Sequence, residues 1–73
     1  MTEEELQLLI DQAARENWQT LDLSNKGLTE IPEAIAALTN LSRLYLDNNQ
    51  ITAIPEAIAS LTNLSELSLS NNQ

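Results

Sequence analysis

Sliding this sequence by 23 positions lays IPEAIAALTNLSRLYLDNNQ (Ile31 to Gln50) over IPEAIASLTNLSELSLSNNQ (Ile54 to Gln73). The 20 aligned pairs differ at four places, Ala37/Ser60, Arg43/Glu66, Tyr45/Ser68 and Asp47/Ser70. Near-identity at a fixed period marks a repeat architecture, because a unit this small cannot bury its own apolar side chains and must stack on its neighbours. The same offset runs back to a degenerate first copy. There Trp18, Leu21, Leu23, Asn25, Leu28 and Ile31 sit under Leu41, Leu44, Leu46, Asn48, Ile51 and Ile54. The chain therefore divides into a leader (1–17), a first, degenerate repeat (18–40), a second repeat (41–63) and the opening of a third (64–73). With 73 residues there is room for one domain.

Inside a copy, Leu41-x-x-Leu44-x-Leu46 alternates at period two, as a half-buried strand does. Leu44 and Leu46 are then inward, while Arg43, Tyr45 and Asp47 face the other way. Asn48-Asn49-Gln50 is turn chemistry that ends the strand, since Asn tolerates left-handed backbone angles and its amide satisfies loop groups. Pro55 fits the first turn of a short helix, and Ala57, Ile58, Ala59 and Leu61 are compatible with it. Each copy thus reads as strand, turn and return segment.

The leader has its own signature. Thr2-x-x-Glu5 is a capping box, and Leu6, Leu9, Ile10, Ala13 and Ala14 follow at amphipathic spacing. Glu3, Glu4 and Glu5 lie at the positive end of the helix dipole and Arg15 near the negative end, with Asn17 as a stop. The sequence predicts a helix that caps the first strand of the stack.

Charge and composition remove most function classes. Eleven acidic against three basic residues give a net charge of −8, which repels phosphate backbones and anionic lipids. Neither nucleic acid nor a membrane surface is an expected partner. The chain has no Cys or His, so disulfides, thiol nucleophiles, thiolate zinc sites and the commonest general base are all missing. The Ser and Thr hydroxyls have nothing to activate them, and Lys26-Gly27 alone is no phosphate-binding loop. An enzyme, a metal site and a cofactor are not expected. Asn40-Leu41-Ser42 and Asn63-Leu64-Ser65 match a glycosylation pattern but read as repeated framework, and Glu33 and Glu56 read as a solvated charged surface. The acidic start, the lack of an apolar run near 18 residues and the lack of Cys together suggest a cytoplasmic protein.

What varies between copies is more informative than what repeats. Three of the four differences, at 43/66, 45/68 and 47/70, are outward strand positions, whereas the inward ones never change. With the first copy added, the outward grid is Thr20, Asp22, Ser24, Arg43, Tyr45, Asp47, Glu66, Ser68 and Ser70. Tyr and Arg are over-represented among binding hot spots, which makes Arg43 and Tyr45 its candidate anchors.

The residues Leu41, Leu44, Leu46, Asn49 and Ile51 fill the pattern L-x-x-L-x-L-x-x-N-x-L, and the chain resembles the leucine-rich repeat family over residues 18–73. Ile54-Pro55-x-x-Ile58-x-x-Leu61-Thr62-Asn63 looks like the variant of intracellular signalling and bacterial repeat proteins. The first copy departs from the motif, with Trp18 for the opening Leu and Lys26 for the Asn, which puts an asparagine ladder in question at that end. The resemblance implies an α/β fold: a right-handed solenoid with short parallel strands on its concave face, closed by the amino-terminal capping helix. It further implies a non-catalytic protein-interaction module that binds through that face. The chain reads as the capped fragment of a longer solenoid, since Leu64, Leu67 and Leu69 have no following coil. One alternative is a scaffold piece that self-associates through its open edge strand. Another starts from LDLSNKGLTEIP (Leu21 to Pro32), which is similar to the start of bacterial Roco-type proteins, where repeats precede a GTPase.

Overall fold

The computed structural model describes residues 1–72 of the chain. Helix α1 spans Glu3–Arg15, and three strands follow: β1 (Thr20–Asp22), β2 (Arg43–Tyr45) and β3 (Glu66–Ser68). Two five-residue 3-10 helices, Glu33–Ala37 and Glu56–Ser60, lie between consecutive strands.

Both ends of α1 are closed by local chemistry. The Glu5 amide donates to the Thr2 hydroxyl at 3.1 Å, and the Thr2 amide donates to the Glu5 carboxylate at 3.0 Å, completing the capping box. At the other end Asn17 turns left-handed with φ 55°. Its amide then donates to the Ala14 carbonyl at 3.4 Å and the Trp18 amide to that of Ala13 at 3.0 Å, the pair of bonds that stops a helix and redirects the chain.

The bonds to Thr2 hold the Glu5 carboxyl below its ordinary pKa. A lowered folded-state pKa stabilises the fold fully above the ordinary carboxylate range and loses that contribution as pH falls through the folded value. Thr2→Ala removes the hydroxyl that accepts from the Glu5 amide and is expected to lower the unfolding free energy by about 1 kcal/mol near neutral pH. The backbone N–H at position 2 still donates to the Glu5 carboxylate in this variant, so most of the gap should persist in acid, and urea unfolding at both pH values checks this.

The strands form one parallel sheet in the order β1-β2-β3. Thr20 pairs with Arg43 and Arg43 with Glu66; Leu21, Leu44 and Leu67 are matched likewise, as are Asp22, Tyr45 and Ser68. Every step is the 23-residue offset of the sequence. One face of this sheet closes the core, where Leu21, Leu23, Leu41, Leu44 and Leu46 are buried with Ile35, Leu38 and Ile51.

In α1 the buried residues are Leu6, Ile10 and Ala13, at spacings of four and three. The first return segment buries Ile31, Ile35 and Leu38 at the same spacings, and α1 packs against the 3-10 helix of that segment. The capping helix thus stands where the return segment of a preceding coil would stand. At the other end the pattern opens: Leu67 is 37% exposed, against 0% for its counterpart Leu44, and Leu64 and Leu69 are half-buried.

The return segments correct one expectation. Pro32 and Pro55 are extended (ψ 150° and 155°) and precede the helical turns rather than forming their first residue. The turns are 3-10 in type, closed by bonds such as Ile35 amide to Pro32 carbonyl (3.1 Å) and Leu38 amide to Ile35 carbonyl (3.0 Å). A helical stretch of only five residues is too short for an α-helical ladder to repay its nucleation, so the tighter i+3 bonding wins. Among the described residues no helix is long and apolar enough to cross a membrane.

Candidate functional site

The outward strand positions stand in rows of three because the 23-residue register puts corresponding residues side by side. Thr20, Arg43 and Glu66 make one row, and Asp22, Tyr45 and Ser68 the next. Ser24, Asp47 and Ser70 lie past the strand ends in strict terms. The parallel ladder nevertheless continues there, with the Leu23 amide donating to the Tyr45 carbonyl (2.8 Å) and the Asn25 amide to that of Asp47 (3.0 Å). All nine residues reach the surface, and Ser24, Tyr45, Asp47 and Ser68 are half-buried.

Several of these side chains also bind one another. The Asp47 carboxylate accepts from the Ser68 hydroxyl at 2.6 Å and from the Ser70 amide at 2.8 Å, while the Asp47 amide donates to the Ser24 hydroxyl at 3.2 Å. The third row therefore laces the coils together as well as facing solvent. The Asp22 carboxylate accepts from the Ser24 amide at 2.9 Å, and bonding to Ser24 holds its pKa below the ordinary value. Hydrogen bonding to Glu66 raises the Tyr45 phenol above its ordinary pKa, with partial desolvation and the same carboxylate's charge acting in that direction. Tyr45 is therefore a neutral hydroxyl at physiological pH. It stands two residues from Arg43 on one strand face, where an aromatic ring and a guanidinium together favour hot-spot contacts.

Size decides what this face can do. With strands about 4.8 Å apart and a rise of about 3.3 Å per residue, the grid covers roughly 200 Å². A standard interface uses about 800 Å² per partner, so the nine residues amount to the centre of a contact rather than all of it.

Behind the face, asparagine amides hold the turns. The Asn49 Oδ1 accepts from the amides of Lys26 (3.0 Å) and Leu28 (3.1 Å), and its Nδ2 donates to the carbonyls of Leu23 (3.0 Å) and Leu46 (2.9 Å). Asn72 repeats this one coil on, accepting from the Ile51 amide (3.1 Å) and donating to the carbonyls of Leu46 (2.8 Å) and Leu69 (3.0 Å). Each asparagine thus serves the backbone of the coil before it. Lys26 can replace the asparagine in the first copy because α1, not a turn, precedes that coil.

A second set of polar bonds escaped the sequence reading. The Asn40 amide group donates to the Asn17 Oδ1 at 2.9 Å and that of Asn63 to the Thr39 carbonyl at 3.0 Å, while Asn71 donates to Asn48 Oδ1 at 2.7 Å. The signal was present, because Asn17, Asn40 and Asn63 stand at the repeat spacing. Asn17 is thereby both the helix stop and the first member of an outer ladder. These bonds occupy the amide nitrogens of both glycosylation-like triplets. Among the described residues no group of three or more acidic side chains is placed to hold a metal ion.

The family model described as leucine rich repeat matches residues 16–73. No curated protein matches the chain. Among solved structures, a leucine-rich-repeat protein from Leptospira interrogans is 30% identical, with a TM-score of 0.54. The alignment covers 86% of this chain and 22% of that one, so this chain spans about a fifth of its length.

Proposed function

This chain belongs to the leucine-rich repeat family, and we propose that it is a non-catalytic module that binds a protein partner through its strand face, with Arg43 and Tyr45 as anchors. The family generally serves as protein-interaction scaffolds. The observation that supports this face is the distribution of differences between copies two and three. The core leucines, the turn asparagines and the prolines are identical, while Arg43, Tyr45 and Asp47 give way to Glu66, Ser68 and Ser70. A surface that varies on an unvarying frame is one where sequence is set by something other than folding. Solenoids of stacked repeats use such faces as extended binding surfaces.

A photo-reactive residue in place of Tyr45 tests the reading, with one in place of the exposed Gln12, on α1, as the control. Trapping of a discrete protein from Tyr45 but not from Gln12 is the expected result. Equal trapping from both, or trapping from Gln12 alone, would overturn the assignment of the face.

A further inference from the structure

We infer that the loop edge of the solenoid carries a second docking groove, for an extended, basic segment of a protein partner. A shallow cavity of about 350 Å³ runs between the connecting segments of the first and second coils, with Thr29, Glu30, Pro32 and Glu33 on one side and Thr52 and Pro55 on the other. A second cavity of about 260 Å³ adjoins it between the first coil and α1. It shares Glu30 and Pro32 and adds Glu3, Leu6 and Gln7, so the two make one elongated groove.

The occupant follows from the lining. The lining combines apolar Pro32, Pro55 and the 45%-exposed Ile54 with the carboxylates of Glu3, Glu30 and Glu33, and holds no Lys or Arg among the described residues. Glu3 is partly offset by the helix dipole at the start of α1, which leaves Glu30 and Glu33 as the principal charges. Lys and Arg match this lining because their long apolar stems can cover apolar side chains while their charged heads reach neighbouring carboxylates. A second copy of this chain does not fit, since each copy brings a net charge of −8. The groove passes from the second coil over Glu30 and Pro32 to α1, a path that an extended peptide can follow across the coils.

The test uses a short blocked peptide alternating lysine with leucine as the probe, titrated into the isotope-labelled protein at about 0.15 M salt, where exposed charges act over only about 8 Å. Amide shifts concentrated at residues 29–33 and 52–55 are expected, with Glu30→Lys and Glu33→Lys each weakening binding about tenfold. Glu66→Lys, an equal change of charge on the strand face, should leave the affinity within about twofold. Shifts spread over the whole surface, or an equal loss with Glu66→Lys, would reduce the effect to general attraction and overturn the groove. Shifts confined to the strand face would also overturn it, while leaving the strand-face reading intact. So would a sedimentation result in which the protein alone is a dimer with these residues covered.

Discussion

Replacing Asn49 by Ala is expected to cost about 3–6 kcal/mol, the largest effect of any polar substitution in the chain. Its amide bonds to the Leu28 amide and to the carbonyls of Leu23 and Leu46 are all buried. Truncation strips partners from three buried backbone groups at about 1–3 kcal/mol each, with water able to relieve some of that loss. A domain of this length is stable by roughly 4–11 kcal/mol, so the variant should lose a large fraction of its stability. Asn49→Asp separates the two halves of the amide. It keeps an acceptor for the Lys26 and Leu28 amides but turns a carboxylate oxygen toward the Leu23 and Leu46 carbonyls, so it should fare little better. Asn72→Ala is the comparison, because Asn72 is only half-buried and water can replace much of what it supplies. Its cost should be about 1–2 kcal/mol. A loss below about 1 kcal/mol for Asn49→Ala would mean that the turns do not depend on the amide.

The second large effect separates sequence position from burial. Leu44 and Leu67 occupy the same place in consecutive copies and are paired in the sheet, yet one is fully buried and the other 37% exposed. Leu44→Ala removes a side chain packed between coils and leaves a cavity, at a cost of about 3 kcal/mol. Leu67→Ala in the same 73-residue chain leaves little cavity and should cost about 1 kcal/mol or less. Chemical denaturation of the two variants measures the difference directly. Equal losses would mean that β3 is covered as completely as β2.

The repeat period made most of the fold legible before any coordinates. A 23-residue offset found in the text reappears as the register of every strand pair, and in the first two copies the leucines at period two are the buried ones. Thr2-x-x-Glu5 became a capping box and Asn17 a helix stop, because both are local signals that need no tertiary context. The return segments were less legible. Alanine and isoleucine suit an α-helix by propensity, but a helical stretch of only five residues takes 3-10 geometry, and no propensity scale contains that length constraint. Lys26 looked like a defect in the asparagine ladder. Its explanation required knowing that each asparagine reaches backward to the preceding coil, a direction the motif does not encode. The Asn17–Asn40 bond was hidden for a related reason, since the leader and the repeats were divided at a boundary that the ladder crosses.

For the strand face, the grid of outward residues could be written from the alternation alone, whereas its internal bonding could not. That Asp47 binds both Ser68 and Ser70 became visible only once adjacent coils were in register. The third row is thus partly committed to holding the coils together, and the first two rows, with Arg43 and Tyr45, are the freer surface for a partner.

The division between a fixed frame and a variable face is tested most directly by giving copy two the residues of copy three, Arg43→Glu with Tyr45→Ser, in one protein. Copy three already carries Glu66 and Ser68 on the same frame, so the cost should be limited to the new like-charge neighbour of Glu66 and the lost bond from Tyr45, about 1 kcal/mol of urea unfolding free energy. The protein trapped from the strand face should no longer bind to this variant. Retained binding would contradict the face as the recognition surface, and a stability loss of several kcal/mol would contradict its independence from the frame.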